Sequence, residues 1–265
     1  MQTDILIFGG QSNMQGQSEA LIPTGNNGSM LEYKYLTDTF VPLQDPVGEN
    51  IRYDGGCGNP VVKGGDLKKW LAEHVVGAAC YGNTNLVPSF CRTYSDMTGN
   101  RAVAVHIAKG STVIEQWLPG TDGYAILKDK ASAAITKARA DFGVGRVFFI
   151  WLQGESDAIA GNSKEYYKEK LTILSDALKA DVGIEKFGII RVGRFTNDQR
   201  DLEIIAAQNE ICQENADILM LTDIATQLNT QPQYMNPEVK GHYSAEGLKK
   251  LGAEAATALA RYVMK

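Results

Sequence analysis

The sequence predicts an α/β fold: a three-layer α/β/α sandwich in which helices cover both faces of a doubly wound, five-stranded parallel sheet. Five short apolar runs are nearly continuous instead of alternating with polar residues, which is typical of strands buried on both faces. Segments with helical periodicity separate most of these runs, and such alternation produces right-handed crossovers between parallel strands. With 265 residues, 44% of them hydrophobic, the chain can bury one large core.

The five predicted strands each run into small or polar residues. The first is the apolar run Ile5–Phe8, which stops at Gly9 and Gly10. The other four runs are apolar for most of their length and are Ala102–Gly110, Arg146–Ser156, Phe187–Gly193 and Asp217–Asp223.

The helices are predicted from their apolar stripes and from residues that begin helices. They cover Val87–Met97, Tyr124–Ala140, Glu165–Leu178, Arg200–Glu214 and Ser244–Tyr262. Pro88 is suited to the first turn of its helix, and Ser244 is suited to cap the last one. Residues 20–84 are rich in Gly, Asn and Pro and show little periodicity, so we expect a loop-rich insertion with short elements inside a single domain, 1–265.

The composition argues against several classes of partner. A net charge of −5 lacks the basic footprint of a nucleic-acid-binding protein, and no apolar segment reaches membrane-spanning length. With three histidines and no Cys-x-x-Cys pair, we expect neither a metal site nor another cofactor. No signal peptide is visible, so we expect a cytoplasmic protein, or a secreted one if a leader is missing. The oligomeric state and the pairing of the four cysteines stay open: Cys57, Cys80, Cys91 and Cys212.

Polar residues follow the strands at what would be one edge of the sheet. In open α/β sheets, ligands bind in the crevice beyond the carboxyl ends of the strands. The predicted ends are Gly9–Asn13, Lys109–Thr112 and Gln153–Asp157, and the loop that leads to His242 is expected beside them. The sequence therefore predicts a functional site where these four segments meet.

Ser12 is the candidate nucleophile at this edge. It follows two glycines, whose missing Cβ atoms allow a tight turn and the close approach of a ligand. Its hydroxyl could attack an acyl carbon while its own N–H binds the resulting oxyanion. Alternatively, Ser12 only caps a helix, which is the commoner role of such a serine; a phosphate-binding loop is a weaker alternative. His242 is the candidate base, because His106 lies inside an apolar strand and His74 on a helix.

The other strand ends offer groups that could stabilise negative charge or bind a substrate. Gln153 could donate its side-chain amide, and Gly110 its backbone N–H, to an oxyanion. Glu155 could accept hydrogen bonds from the loop or orient a neighbour. Trp117 and Pro119 could wall a pocket, or they could simply pack as loop residues.

Four sequence blocks together resemble the SGNH hydrolase superfamily, in particular its carbohydrate-esterase branch of sialate O-acetylesterases and acetylxylan esterases. The blocks are GQSNM at 10–14, GSTVIEQW at 110–117, WLQGESD at 151–157 and HYSAEGLKKLG at 242–252. The resemblance implies a flavodoxin-like SGNH hydrolase fold and a serine esterase that removes O-acetyl groups from a carbohydrate through an acyl-enzyme.

The same resemblance implies roles for individual residues. Ser12 would be the nucleophile, and His242 the general base and later the acid. The N–H groups of Ser12 and Gly110 and the amide of Gln153 would form the oxyanion hole. We also predict substrate-binding roles for three residues of the blocks, Asn13, Glu155 and Trp117.

One position departs from the family pattern. Members commonly carry Asp three residues before the catalytic histidine, where it holds the far N–H of the imidazole. Here that position is Val239. Glu238 could replace the aspartate if the loop bulges, another acid could substitute, or a backbone carbonyl could orient a Ser–His dyad. We predict Glu238; the other acids are Asp223, Glu155 and Asp157.

Two alternative functions are compatible with the sequence. The missing aspartate would suit a catalytically weakened carbohydrate-binding module, whose loop aromatics could stack on sugars, although ordinary packing is the simpler interpretation for most of them. These aromatics are Tyr33, Tyr35, Tyr53, Trp70, Tyr81 and Trp117. A short-chain lipid or thioester hydrolase would need a long apolar groove, of which residues 20–84 give little sign. The sugar and the acetylated position are left open.

Overall fold

A seven-stranded sheet lies at the centre of the molecule. We describe the protein from a computed structural model that covers residues 1–35, 37–45, 47–48, 84–196 and 198–265. The strands are β1 (Thr3–Gly10), β2 (Met30–Lys34), β3 (Thr39–Pro42), β4 (Arg101–Ala108), β5 (Val147–Leu152), β6 (Lys186–Ile190) and β7 (Ile218–Thr222). Their order across the sheet is β3-β2-β4-β1-β5-β6-β7, and only the β2–β3 pair is antiparallel.

All five predicted strands are confirmed, as β1 and β4–β7, but the sheet has seven strands instead of five. The two additional strands, β2 and β3, lie in the segment that was expected to be loop-rich. The sequence conceals β2 because Glu32, in its middle, is a charged residue that is only 2% exposed. The Glu32 carboxylate is paired with Lys34 at 2.7 Å and accepts the N–H of Gly48 at 2.8 Å. A buried charge satisfied in this way does not follow the usual apolar strand pattern.

The helices between the strands agree with the periodicity of the sequence. They are α1 (Ser12–Gln15), α2 (Val87–Thr98), α3 (Asp122–Asp141), α4 (Glu155–Ala160), α5 (Lys164–Asp181), α6 (Arg200–Glu214), α7 (Ala225–Leu228) and α8 (Ala245–Val263), with 3₁₀ turns at Ile114–Trp117 and Pro232–Tyr234. Pro88 lies in the first turn of α2, and the Ser244 hydroxyl accepts the N–H of Gly247 at 3.2 Å as the cap of α8. The three helices that periodicity did not reveal, α1, α4 and α7, have only four to six residues.

The core lies on both faces of the central strands. Every residue of β1 is buried, and α2 and α8 pack together on one face of the sheet. The right-handed crossovers from β4 towards β7 place α3, α5 and α6 on the opposite face. Aromatic rings pack against one another in this core, among them Phe149 and Phe187, whose ring planes are tilted by 48° and whose centroids are 4.9 Å apart.

The carboxyl ends of β1, β4 and β5 are tied to one another. Gly10 has φ +147°, and a Cβ at this position would lie only 2.0 Å from the carbonyl oxygen of Leu152, so no larger residue fits. The Gly10 carbonyl accepts the N–H of Lys109 at 3.0 Å, and the N–H of Gln11 donates to Leu152 at 3.1 Å. These contacts bring α1, the loop after β4 and the start of α4 to the same edge of the sheet.

Candidate active site

Ser12 is the first helical residue of α1, directly beyond the carboxyl end of β1. Gln11 occupies the cap position in extended conformation, and α1 ends after one turn at Gly16, whose φ is +90°. The cap is therefore not Ser12, and the hydroxyl is not used in the capping role that was its alternative interpretation. The side chain of Ser12 is 6% exposed, and the N–H groups of a first helical turn have no intrahelical partner.

The loop that carries His242 is anchored beside Ser12 by two asparagines. Asn13, the residue after Ser12, accepts the N–H of Tyr243 with Oδ1 at 3.3 Å, and its Nδ2 lies 3.4 Å from the carbonyl oxygen of Gly241. Asn236 donates from Nδ2 to the carbonyl of Gln17 at 2.7 Å. Both chain neighbours of His242 thus bond to the neighbour of Ser12, although the two segments are some 230 positions apart.

The imidazole of His242 has its Nδ1 directed at a backbone carbonyl. Nδ1 lies 3.1 Å from the oxygen of Lys240, which can only accept, so Nδ1 carries the hydrogen and Nε2 keeps its lone pair. Burial lowers the pKa of the half-buried imidazole, and the carbonyl groups of Lys240 and Val239 oppose this effect. The lowered pKa favours the neutral imidazole, which is the form that can accept a proton.

Glu238, predicted as the orienting acid, does not have that position in this structure. Its side chain is exposed and makes no hydrogen bond to the imidazole, while its backbone N–H donates to Oδ1 of Asn236 at 2.8 Å. Val239, which stands at the expected aspartate position, accepts the N–H of His242 at 3.3 Å through its carbonyl oxygen. The group that faces Nδ1 is the carbonyl of Lys240, which corresponds to the backbone-oriented alternative.

The other acids considered for this role have different partners. Asp157 accepts hydrogen bonds from Gln153 and Asn162, and Asp223 lies 3.7 Å from Arg191. Glu155 accepts the amide of Asn13 at 2.7 Å. None of these three carboxylates is a partner of Nδ1.

Gly110, predicted as an oxyanion donor, lies against Ser12. A Cβ at Gly110 would be 3.5 Å from the Cβ of Ser12. The N–H of Gly110 donates to Oε1 of Gln15 at 3.2 Å. Because a hydrogen bond to an ionised oxygen is shorter and about twice as strong as one to a neutral amide, an oxyanion would displace Gln15 from this donor.

Gln153 is fully buried and joins three loops of the site. Its Nε2 donates to the carbonyl of Thr112 at 2.8 Å and to Oδ2 of Asp157 at 2.5 Å, and it lies 3.2 Å from Oε1 of Gln11. These acceptors occupy both amide hydrogens. For Gln153 to donate to an oxyanion, one of these bonds must be released. Burial raises the pKa of the Asp157 carboxyl group. The hydrogen bond from Gln153 acts in the opposite direction and lowers this pKa.

Trp117 packs inside the protein instead of presenting its face to a ligand. It is 1% exposed, its Nε1 donates to the Thr112 hydroxyl at 3.0 Å, and its ring meets that of Trp151 edge to face at 5.7 Å. Trp117 also lines a cavity of about 290 Å³ next to the Gly110 loop. The cavity is otherwise lined by polar side chains, among them those of Lys109, Glu115, Gln116 and Asp122.

Several of the remaining candidates of the sequence are buried, and others lie outside the described part. His106 is buried with Nε2 3.0 Å from the carbonyl of Met14, and burial lowers its pKa to about 4, which agrees with its interpretation as a core residue. The ring of Tyr33 is buried and packs on Phe40 at 5.4 Å. Cys91 and Cys212 are free thiols. His74, Cys57, Cys80, Tyr53, Trp70 and Tyr81 lie outside the described residues.

Two contributors to the site escaped the sequence reasoning. Asn236 binds the N–H groups of Glu238 and Val239 through Oδ1 at 2.8 and 3.1 Å, and so shapes the loop of His242. The sequence does contain an indication of this turn, because Asn236 precedes Pro237 and an Asn-Pro pair favours the start of a turn. Gln11 accepts the N–H of Ser156 at 3.2 Å, a contact without a local sequence signal.

Among residues 1–35, 37–45, 47–48, 84–196 and 198–265, no cluster of three or more His, Cys, Asp or Glu side chains has the arrangement to hold a metal ion. None of the helices given above is both long and apolar enough to cross a bilayer.

The model of a carbohydrate esterase family, described as sialic acid-specific acetylesterase, matches residues 2–261. No curated protein sequence matches the chain.

Several solved structures are similar in fold. A protein from Arabidopsis thaliana has a TM-score of 0.67 at 17% identity, over 97% of this chain and 98% of that one. A carbohydrate acetylesterase from Xanthomonas citri has a TM-score of 0.55 at 18% identity, over 98% of this chain but only 56% of that one. A lipase/acylhydrolase from Enterococcus faecalis has a TM-score of 0.52 at 14% identity, over 98% and 96%.

At these identities the structural likeness shows a shared fold, which is that of the SGNH hydrolases. The family match covers nearly the whole chain and includes all four blocks described above. The chain therefore belongs to the carbohydrate esterase family of sialic acid-specific acetylesterases.

Proposed function

We propose that this protein is a serine esterase that removes O-acetyl groups from a carbohydrate through an acyl-enzyme on Ser12. The observation that carries the proposal is the position of the His242 loop. Asn13, adjacent to Ser12, bonds to both chain neighbours of His242, at 3.3 Å to the N–H of Tyr243 and 3.4 Å to the carbonyl of Gly241. A nucleophile and a base held on one rigid frame are the minimum for covalent acyl transfer.

In acylation, the Ser12 oxygen attacks the acetyl carbon while Nε2 of His242 takes the hydroxyl proton. The carbonyl oxygen becomes an oxyanion, for which we propose the backbone N–H groups of Ser12 and Gly110 as principal donors, with the Gln153 amide as a third once it is released from a loop acceptor. The imidazolium then gives its proton to the sugar oxygen as the ester bond breaks. The acetyl group stays on Ser12, and the sugar leaves as an alcohol.

In deacylation, a water molecule takes the place of the sugar. His242 accepts a proton from the water as its oxygen attacks the acetyl carbon, and the same oxyanion donors act again. The bond to Ser12 breaks, the proton returns to the Ser12 oxygen, and acetate leaves. The carbonyl of Lys240 keeps Nδ1 protonated throughout, so that Nε2 is the group that exchanges protons.

A carbohydrate as the alcohol part is supported by the family and agrees with the polar lining of a cavity that neither Ser12 nor His242 lines. The family is described as carbohydrate esterases, and the similar protein of Xanthomonas citri is named a carbohydrate acetylesterase. The cavity of about 290 Å³ beside the Gly110 loop is lined by Glu115, Gln116 and Asp122, whose side chains can accept hydrogen bonds from sugar hydroxyls.

Turnover of p-nitrophenyl acetate tests the serine mechanism. We expect Ser12→Ala to lose at least about 10³-fold in kcat, since removal of a nucleophile in such a system eliminates the covalent route. The control is Ser132→Ala, a substitution of a half-buried serine on α3 that should leave turnover unchanged. EDTA is present throughout, so that contaminating metal hydrolases do not contribute. Equal turnover by Ser12→Ala and the wild type would refute the proposal.

Acetate release identifies the substrate class. The wild type and Ser12→Ala are incubated with acetylated xylan, O-acetylated sialic acids and acetylated peptidoglycan fragments. Release by the wild type alone from one of these supports the carbohydrate assignment. Binding of the glycans without release of acetate would instead favour the catalytically weakened binding module.

A further inference from the structure

The amide of Asn13 lies between a buried carboxylate and the backbone around His242. Asn13 is 3% exposed, and its Nδ2 donates to Oε1 of Glu155 at 2.7 Å. Its Oδ1 accepts the N–H of Tyr243 at 3.3 Å, and the same Nδ2 lies 3.4 Å from the carbonyl of Gly241. The amide therefore connects the start of α4 to the loop of the proposed base.

The buried position of the Glu155 carboxylate destabilises the folded protein. Its side chain is 7% exposed, and Oε2 is buried without a hydrogen-bond partner among the described residues. An unsatisfied buried carboxylate oxygen is unfavourable, and burial accordingly raises the pKa of Glu155. Stability alone does not account for an acid at this position, whereas a requirement for a group that only accepts hydrogen bonds does.

We propose that Glu155 and Asn13 are positioning residues for His242, an inference that rests on the esterase function proposed above. An ionised carboxylate only accepts hydrogen bonds, so the NH₂ side of the Asn13 amide must face Glu155. This orientation in turn directs Oδ1 to the N–H of Tyr243. The carboxylate thus decides which way the amide is turned, and the amide decides where the backbone on both sides of His242 lies.

This role differs from substrate binding, which was predicted for both residues, and for Glu155 it corresponds to the alternative expectation that the carboxylate orients a neighbour. Asn13 and Glu155 were predicted to bind substrate, but each has its bonding capacity directed into the protein. Nor does Glu155 orient the imidazole directly, because the partner of Nδ1 is the carbonyl of Lys240. The pair acts on the loop of His242 and not on its ring.

The expected effect of losing the pair is a slower chemical step with little change in binding. A displacement of about 1 Å between reacting groups can cost about 10²-fold in rate. In Asn13→Asp, two carboxylates would face each other across the present 2.7 Å contact. We expect kcat for p-nitrophenyl acetate to fall about 10²-fold while KM changes less than about threefold.

A swapped pair provides the decisive variant. In Asn13→Asp combined with Glu155→Gln, the aspartate can accept both the N–H of Tyr243 and the new amide of residue 155. This double variant should regain at least about tenfold in kcat over Asn13→Asp alone, a coupling that two independent structural defects would not give.

The control is Asn100→Ala, which removes a comparable amide–carboxylate bond, 2.8 Å to the buried Asp4, at the opposite edge of the sheet. It should lower the melting temperature and leave kcat unchanged. The pH profile gives an independent readout: in Asn13→Asp and in Asn13→Ala, the kinetic pKa of His242 should move from its lowered value towards 6.5 as the loop becomes more solvated.

Three results would overturn the inference: wild-type kcat in Asn13→Asp, no recovery in the folded double variant, or an equal loss of kcat in Asn100→Ala. Ser12→Ala is measured alongside. If Ser12→Ala loses turnover while the Asn13 variants keep it, only the positioning inference fails. If Ser12→Ala keeps turnover, the proposed function itself is wrong.

Discussion

Placing an aspartate at position 239 should make the imidazole of His242 a stronger base. Val239 stands three residues before His242, at the position that has aspartate in the family pattern which this sequence resembles, and Nδ1 donates to the neutral carbonyl of Lys240 at 3.1 Å. In Val239→Asp, a carboxylate beside Nδ1 would stabilise the imidazolium that forms when Ser12 loses its proton. The control Val239→Asn supplies a similar shape and an acceptor oxygen without the charge.

The size of the effect follows from the half-buried position of His242. Opposite charges about 4 Å apart attract by about 4 kcal/mol at an effective dielectric constant of about 20. Desolvation of the new carboxylate and loss of the Lys240 bond offset much of this attraction. A net rise of about one pKa unit remains, which corresponds to about 1.4 kcal/mol or about tenfold in rate. We therefore expect the acid limb of kcat/KM to move up by about one pH unit and kcat at pH 8 to rise about tenfold.

The assay is p-nitrophenyl acetate hydrolysis between pH 5 and 8 for the wild type, Val239→Asp and Val239→Asn. Since kcat/KM reports the free enzyme, its acid limb gives the pKa of the base before substrate binds. Glu238→Gln, measured in parallel, should keep wild-type turnover within about twofold, because this exposed side chain does not contact the imidazole. The reasoning is refuted if the aspartate and asparagine variants share one kinetic pKa, or if Glu238→Gln loses turnover about tenfold or more.

Two further outcomes concern the wild-type pH profile and the turn before Ser12. Because burial lowers the pKa of His242 and only the neutral imidazole accepts a proton, kcat/KM should fall on the acid side with a midpoint below 6.5; a midpoint above 6.5 in the pH–rate profile would contradict this. Gly10→Ala should cost more than about 3 kcal/mol in urea unfolding, because its Cβ would lie 2.0 Å from the Leu152 carbonyl. Gly143→Ala, also at positive φ but with no atom within 4 Å of the new Cβ, should cost only about 1 kcal/mol. Equal losses of stability in the two variants would show that backbone conformation, and not the contact with Leu152, causes the loss at Gly10.

The long elements of the fold could be predicted from the chain because their patterns are local. Continuous apolar runs identified β1 and β4–β7, and stripes of helical period identified α2, α3, α5, α6 and α8. The strands β2 and β3 could not be found in this way. In β2, the buried carboxylate of Glu32 accepts hydrogen bonds from Lys34 and from the N–H of Gly48. Gly48 lies outside the strand, so the sequence of the strand alone does not reveal this partner.

The sequence by itself determined which chemical groups stand at the carboxyl edge, since the residue types that follow each strand are written in order along the chain. Ser12, Gly110 and His242 could be named for this reason. Only the tertiary structure decided what surrounds them: the carbonyl of Lys240 at Nδ1 in place of Glu238, the amide of Asn13 turned into the protein, and Trp117 packed edge-on against Trp151. Hydrogen-bond partners and burial depend on which groups meet in space, and residues such as Asn13 and Tyr243 meet across 230 positions of chain.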